Sequence, residues 1–346
     1  MLIHADADAF FASVAARDDP SLRGVPLVVA AGVVACPSYA ARAIGIHSGM
    51  PTGQALRIAP GLRVVDPAYG SFEQASEDLF ALFRSVTSWV EPGSMEEAFL
   101  DVRPQGLDPV ATARDLRDQA RRDLGLPVSI GVGTTKLMAK VASRRAKPDG
   151  MVVISRVEDR VVRRALRLEE VWGVGPTKVA ALRAAGIHTV ADLEEREVRD
   201  LATVVGTMIA RRLAAVAAGT DDAMVRKPGP RRSAGASRTI NPAVRSRSAV
   251  EQTYAVLVAT ALGRFGQPHV EVTRLDVDVR YDDGGLRRVT HKVDPATDDP
   301  ATLRREAFAA LADTAYEEDG RGVSLLGVQF TFRPARVDPD QLTLPL

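Results

Sequence analysis

Two adjacent carboxylates, Glu96 and Glu97, head the apolar run Ala98-Phe99-Leu100, just after the turn signal Pro92-Gly93. Carboxylates that enter a buried strand are costly unless they are paired. The pair therefore needs solvent, as at an ordinary hairpin tip, or a cation. A hard divalent ion such as magnesium suits carboxylate oxygens, and it leaves its remaining positions to phosphate. Strand alternation points Glu96 and Glu97 to opposite faces. Both reach one site only if the turn or a bulge re-aims one of them.

The first residues supply a partner for this pair. Leu2, Ile3 and Ala5 suit a strand, and alternation puts Asp6 and Asp8 on one face. An acid ending a strand, with an acidic pair on a hairpin, is the minimum for a two-metal centre, whose ions stand roughly 3.5–4 Å apart.

Composition narrows the setting. The chain has 346 residues, enough for two or three domains, with 46% hydrophobic and 26% charged residues, as in soluble globular proteins. No apolar run reaches the roughly 18–20 residues that cross a membrane. The start is short, acidic and strand-like, unlike a signal peptide. The single cysteine, Cys36, excludes an internal disulfide and suits a reducing cytoplasm; its apolar neighbours make it a buried, inert thiol. Net charge is only +1, which counts mildly against nucleic-acid binding, but charge is unevenly distributed. Arg226, Lys227, Arg231, Arg232, Arg238, Arg245 and Arg247 follow one another with no acidic residue between them. That run reads as a phosphate-contacting stretch or as a solvated basic linker.

Four stretches then occur in a telling order: His4-Ala-Asp6-Ala-Asp8-Ala-Phe10-Phe11, Ser38-Tyr39-Ala-Ala-Arg42, Ser94-Met-Glu96-Glu97-Ala-Phe-Leu-Asp101 and Ala146-Lys147-Pro148-Asp149-Gly150. Together they resemble the motifs of Y-family DNA polymerases of the bacterial DNA polymerase IV (DinB) type. The resemblance runs from residue 2 to the last residue.

It implies an α+β multidomain right hand with an additional C-terminal domain. The palm would take residues 1–10 and 74–165, the fingers 11–73 and a helical thumb 166–225. A basic linker at 226–236, an αβ little finger at 237–335 and a clamp-binding tail at 336–346 would follow. The implied activity is template-directed, low-fidelity nucleotidyl transfer in translesion synthesis, by a cytoplasmic monomer with no membrane contact. Its substrates would be primer–template DNA and dNTPs. Two magnesium ions, replaceable by manganese, would be held by the catalytic residues Asp6, Glu96 and Glu97 and by the backbone carbonyl of Ala7. Tyr39, Arg42 and Lys147 match the positions that hold the triphosphate, where a guanidinium fork suits phosphate oxygens. Phe10 and Phe11 belong to the nucleotide site, with Phe11 beneath the sugar to exclude ribonucleotides.

In the thumb, Gly173-Val-Gly175 and Lys178 resemble a helix-hairpin-helix, with Val205-Gly206-Thr207 as a second such stretch. Glycines there let a backbone phosphate meet helix N-terminal amides, although a plain helical turn has the same pattern. Arg231, Arg232 and Arg238 would add backbone contacts, which carry no base readout. Gln341, Leu342, Leu344 and Leu346 resemble the peptide that docks on the replication sliding clamp (the beta subunit).

The pattern departs from the family twice. The segment between Val29 and Tyr39 is short, which lowers the roof over the nascent base pair. Glu96 stands where the family has aspartate, a change that displaces the carboxylate by roughly 1 Å. Two rival readings remain: a catalytically weak or silent Y-family accessory protein, in which the carboxylates would be lost, and a clamp-tethered DNA-binding protein, which needs no triphosphate residues.

Overall fold

The computed structural model describes residues 1–240, 246–265, 270–317 and 321–334. The chain divides into two units between Pro228 and Gly229.

The first unit opens with β1 (Leu2–Ala7) and α1 (Phe10–Asp18). A small layer follows: β2 (Leu27–Ala30), β3 (Val34–Pro37), α2 (Tyr39–Ala43), α3 (Thr52–Ile58) and β4 (Arg63–Val65). Its three strands run in the order β3-β2-β4 over their own core, which includes Val28, Ile46, Met50 and Ala55. The β2–β3 turn is short, with Gly32 at φ +80°, as the missing hairpin residues lead one to expect.

The main sheet is then completed by α4 (Tyr69–Val86), β5 (Val90–Pro92), β6 (Glu97–Leu100), α5 (Pro109–Leu124), β7 (Val128–Gly133), α6 (Lys136–Ala146) and β8 (Met151–Val153). Its order is β5-β6-β1-β7-β8. Register determines what each face carries. Ile3 faces Leu100 and Val132, and Ala5 faces Ala98 and Ile130. This apolar face packs with Leu79 and Phe83 of α4 and Leu116 of α5. The other face carries His4, Asp6, Glu97 and Ser129. There α6 lies almost on the strand: a Cβ at Gly131 would stand 2.1 Å from Ala139 O and Ser143 N.

Two expected boundaries move. Ala12 and Val14 of α1 pack into the main core, not the small one, and α4 begins at Tyr69. The small layer is therefore narrower than 11–73.

A helical layer closes the unit: α7 (Arg156–Arg164), α8 (Pro176–Ala184), α9 (Val198–Val205) and α10 (Thr207–Ala218). Its core takes in Leu137, Met138 and Val141 from the outer side of α6.

The second unit contains β9 (Ser233–Thr239), α11 (Arg247–Gly263), β10 (Val270–Tyr281), β11 (Leu286–Thr297), α12 (Pro300–Ala312) and β12 (Val323–Pro334). The sheet order is β11-β10-β12-β9, and both helices contribute to one core with Val277, Leu326 and Phe330. The expected 226–236 linker is partly strand, since β9 starts at Ser233. Arg245 of the basic run lies outside the described residues. So does the 336–346 tail, including Gln341, Leu342, Leu344 and Leu346. Among the described residues no helix is long and apolar enough to cross a membrane.

Candidate active site

Antiparallel pairing of β1 with β6 sets Asp6 directly opposite Glu97. Opposed residues point to the same face, so these two carboxylates share one side of the sheet. Glu96 precedes β6 and is not bound by strand alternation. The tight turn supplies its freedom: Gly93 N and Ser94 N both donate to Glu97 O, while Ala7 N donates to Glu96 O at 2.9 Å. A Cβ at Gly93 would stand 2.6 Å from Glu97 Oε1, so a larger residue there would displace that carboxylate.

The electrostatics separate the two glutamates. Glu97 meets Lys140 Nζ at 2.5 Å, with His4 Nε2 at 3.4 Å. Hydrogen bonds from His4 and Lys140 hold its carboxyl down at about 2. Glu96 is pushed up to about 7 by burial and then by the charge of Asp6. Asp6 is held by Lys147 Nζ at 2.6 Å. His4 is buried beneath the site, and burial lowers its pKa. Its Nδ1 lies 2.7 Å from Ser143 Oγ.

Ligand atoms of His4, Asp6 and Glu97 lie within 4.8 Å of one another. Glu96 is not in that cluster, although the charge of Asp6 helps to raise its pKa. The donor set fits a hard divalent cation: carboxylate oxygens dominate it, two lysine ammoniums neutralise part of it, and one carboxylate is left destabilised. Asp6 and Glu97 are the carboxylates that the structure gathers for such an ion, with the destabilised Glu96 beside Asp6.

Residues 5–144 match the impB/mucB/samB family, and residues 231–344 match that family's C-terminal domain. A DNA polymerase IV of Halorhodospira halophila is 36% identical over 95% of this chain and 94% of its own length. One from Cronobacter sakazakii is 31% identical over 100% and 99%. The chain belongs to the Y family of DNA polymerases, DNA polymerase IV type. It is thus a DNA-directed DNA polymerase by class. A solved Y-family polymerase chimera, Dbh-Dpo4(243-245)-Dbh, shares the fold, with TM-score 0.86 and 23% identity over 95% of this chain and 98% of that one. The fold is the α+β polymerase hand with a C-terminal sheet domain.

The polymerase brings several expected residues together and diverts others. The Tyr39 hydroxyl donates to Asp8 Oδ1 at 2.9 Å, beside Lys147. Arg42 is exposed at the end of α2, its Nε donating to Pro37 O and its guanidinium 5.1 Å from the Tyr39 ring. Phe11 stacks on Phe72 at 4.4 Å. Phe10 is a correction: its ring is 1% exposed and belongs to the core, so it offers a nucleotide no side-chain contact.

Gly175 N-caps α8 and Gly206 N-caps α10, so both glycine turns do open helices. Lys178 is diverted: its Nζ donates to Val205 O at 2.8 Å and ties the two turns together. Gly173 leaves room for Arg212, whose guanidinium would otherwise meet a Cβ at 2.2 Å. Arg231 donates to Arg264 O, and Arg232 is exposed and accepts from Phe332 N. Arg238 pairs with Leu326 and so shares the helix-bearing side of its sheet, exposed near the strand end.

Sequence reasoning missed Lys140, Ser129 and Asp8 as members of the site. Only Asp8 left a trace, through its alternation with Asp6.

Proposed function

We propose that this polymerase extends a primer 3′ end on a DNA template at the Asp6–Glu97 face, with low fidelity and in translesion synthesis. The observation that carries the reading is the register pairing of Asp6 with Glu97, with Glu96 turned towards Asp6 and left short of positive charge. Asp6, Glu96, Glu97 and the Ala7 carbonyl would hold divalent ions, magnesium or manganese. Bound there, such ions supply activation of the 3′-hydroxyl and neutralise charge on the leaving pyrophosphate.

The chain's own groups do the rest. Lys140 and His4 keep Glu97 ionised and fixed on β6. Lys147 and Tyr39 stand beside Asp6 and Asp8, placed to exchange a carboxylate partner for triphosphate oxygens when a nucleotide enters. Arg42 adds a guanidinium from the small layer. Phe11, braced by Phe72, presents the ring that would exclude a 2′-hydroxyl. The helix starts at Gly175 and Gly206, and Arg231, Arg232 and Arg238, would contact the duplex backbone. The C-terminal leucines would dock on the sliding clamp. The short β2–β3 turn leaves little roof over the base pair, which favours tolerance of damaged templates over accuracy.

Primer extension on intact and lesion-bearing templates with magnesium tests the reading. Extension past a lesion supports it. DNA binding with no extension in magnesium or manganese would favour the silent accessory protein.

A further inference from the structure

Asp8 lies one residue beyond β1 and is 1% exposed. It is outside the metal-competent cluster, and so far it has entered only as a resting partner of Tyr39 and Lys147. Its two oxygens have separate partners. Oδ2 accepts from Ser129 Oγ of β7 and from Asp149 N, each at 2.6 Å. Asp149 is itself anchored to α5, through Arg117 and Arg121. Oδ1 accepts from the Tyr39 hydroxyl at 2.9 Å and lies 3.5 Å from Lys147 Nζ. One oxygen is thus fixed to the frame of the sheet. The other gathers two groups assigned to the triphosphate, one from the small layer and one from the loop after α6.

A carboxylate this buried is costly unless hydrogen bonds and cations compensate it. Here the compensation also does something for the donors. A lysine and a tyrosine hydroxyl held in place before binding lose less freedom when a ligand arrives. We propose that Asp8 is a positioning residue for the incoming nucleotide, holding Tyr39 and Lys147 on the triphosphate side of the Asp6–Glu97 centre. This rests on the polymerase reading above. Asp8 acts through its two neighbours, so its loss should weaken nucleotide binding more than it slows the bound enzyme.

The test measures dNTP affinity on a dideoxy-terminated primer–template, where no bond can form, alongside KM and kcat on an extendable primer. Asp8→Asn keeps the shape and removes the charge. It should weaken dNTP affinity about tenfold, the size of a lost charged hydrogen bond, with KM following and kcat within about threefold. Ser129→Ala, buried and in contact with Asp8, should shift affinity in the same direction by less. In a Tyr39→Phe background the Asp8→Asn effect should shrink, because the acceptor then has one fewer group to hold. Folded Asp8→Asn and Ser129→Ala proteins with wild-type dNTP affinity would overturn the inference, as would full additivity of Asp8→Asn with Tyr39→Phe. A wild-type protein that binds no dNTP on primer–template would instead end the polymerase reading, and the inference with it.

Discussion

Two sheets in this molecule carry carboxylates on the face opposite their main apolar core, and they treat them differently. In the C-terminal sheet, Asp276 and Asp278 lie side by side on β10 and are answered within the sheet. Arg274 reaches Asp276 at 2.8 Å, Thr290 donates to it at 2.6 Å, and Arg288 grips both oxygens of Asp278 at 2.6 Å. In the amino-terminal sheet, Asp6 and Glu97 are answered by lysines from α6 and the loop beyond it and by His4 of β1, and Glu96 is left at about 7 by burial and by Asp6. The bidentate arginine fork closes a site. The single-point ammonium leaves oxygens available to a ligand. The difference supports reading one face as structure and the other, as proposed above, as chemistry.

Breaking the second kind should cost most. Asp6→Ala or Glu97→Ala should lower nucleotide insertion by on the order of 10³-fold, as several kcal/mol of transition-state stabilisation disappear. Duplex binding, read by anisotropy, should stay near the wild-type value. Substantial extension by either variant in magnesium would remove these residues from the site.

The frame behind that face is the next most sensitive. Gly131→Ala puts a methyl group into the backbone of α6 and should destabilise the first unit by about 3 kcal/mol. A thermal melt unchanged from wild type would show that α6 can lift away, which the Lys140–Glu97 contact does not anticipate.

Glu96 sharpens the comparison from within the site. If its extra methylene misplaces the carboxylate, Glu96→Asp should speed magnesium-dependent insertion by up to about 10²-fold. Manganese, more tolerant of distorted geometry, should stimulate the wild type more than the variant. A fast wild type that Glu96→Asp slows would show a site already adapted to glutamate.

The closed face should respond least. Asp278→Ala removes a pair whose arginine is largely exposed and should cost under about 1 kcal/mol, with insertion within about threefold of wild type. A larger loss of stability would mean that the Arg288 fork is worth more than an exposed pair usually is.

How far the sequence reached follows the same divide. Strands β1, β6, β7, β10 and β12 are legible because apolar residues alternate or run together between turn residues. Asp108-Pro109 marks the start of α5 and does cap it. α11 was hidden in Tyr254–Leu262, an almost continuous apolar stretch in which periods of 2 and 3.6 look alike. β9 was hidden for another reason: Ser-Ala-Gly-Ala-Ser-Arg-Thr has little strand character, and it pairs only because β12 offers an edge. In the site, the acids are legible and their partners are not. Register and helix packing bring Ser129 to Asp8 across 121 residues of chain and Lys140 to Glu97 across 43. Lys178 was read from its place in a glycine-turn motif and Arg238 from a basic run, and neither pattern can tell a helix-end carbonyl or a sheet face from a phosphate.

The central claim is that the Asp6–Glu96–Glu97 face is a site for charge, not a fixture of the fold. Single-nucleotide insertion by Glu97→Gln, with its melting temperature and primer–template affinity measured on the same preparation, tests it most directly. The account predicts a folded protein that binds duplex as the wild type does and inserts almost nothing in either metal. Near-normal insertion, or a protein that unfolds as a buried pair loses its partner, would contradict it.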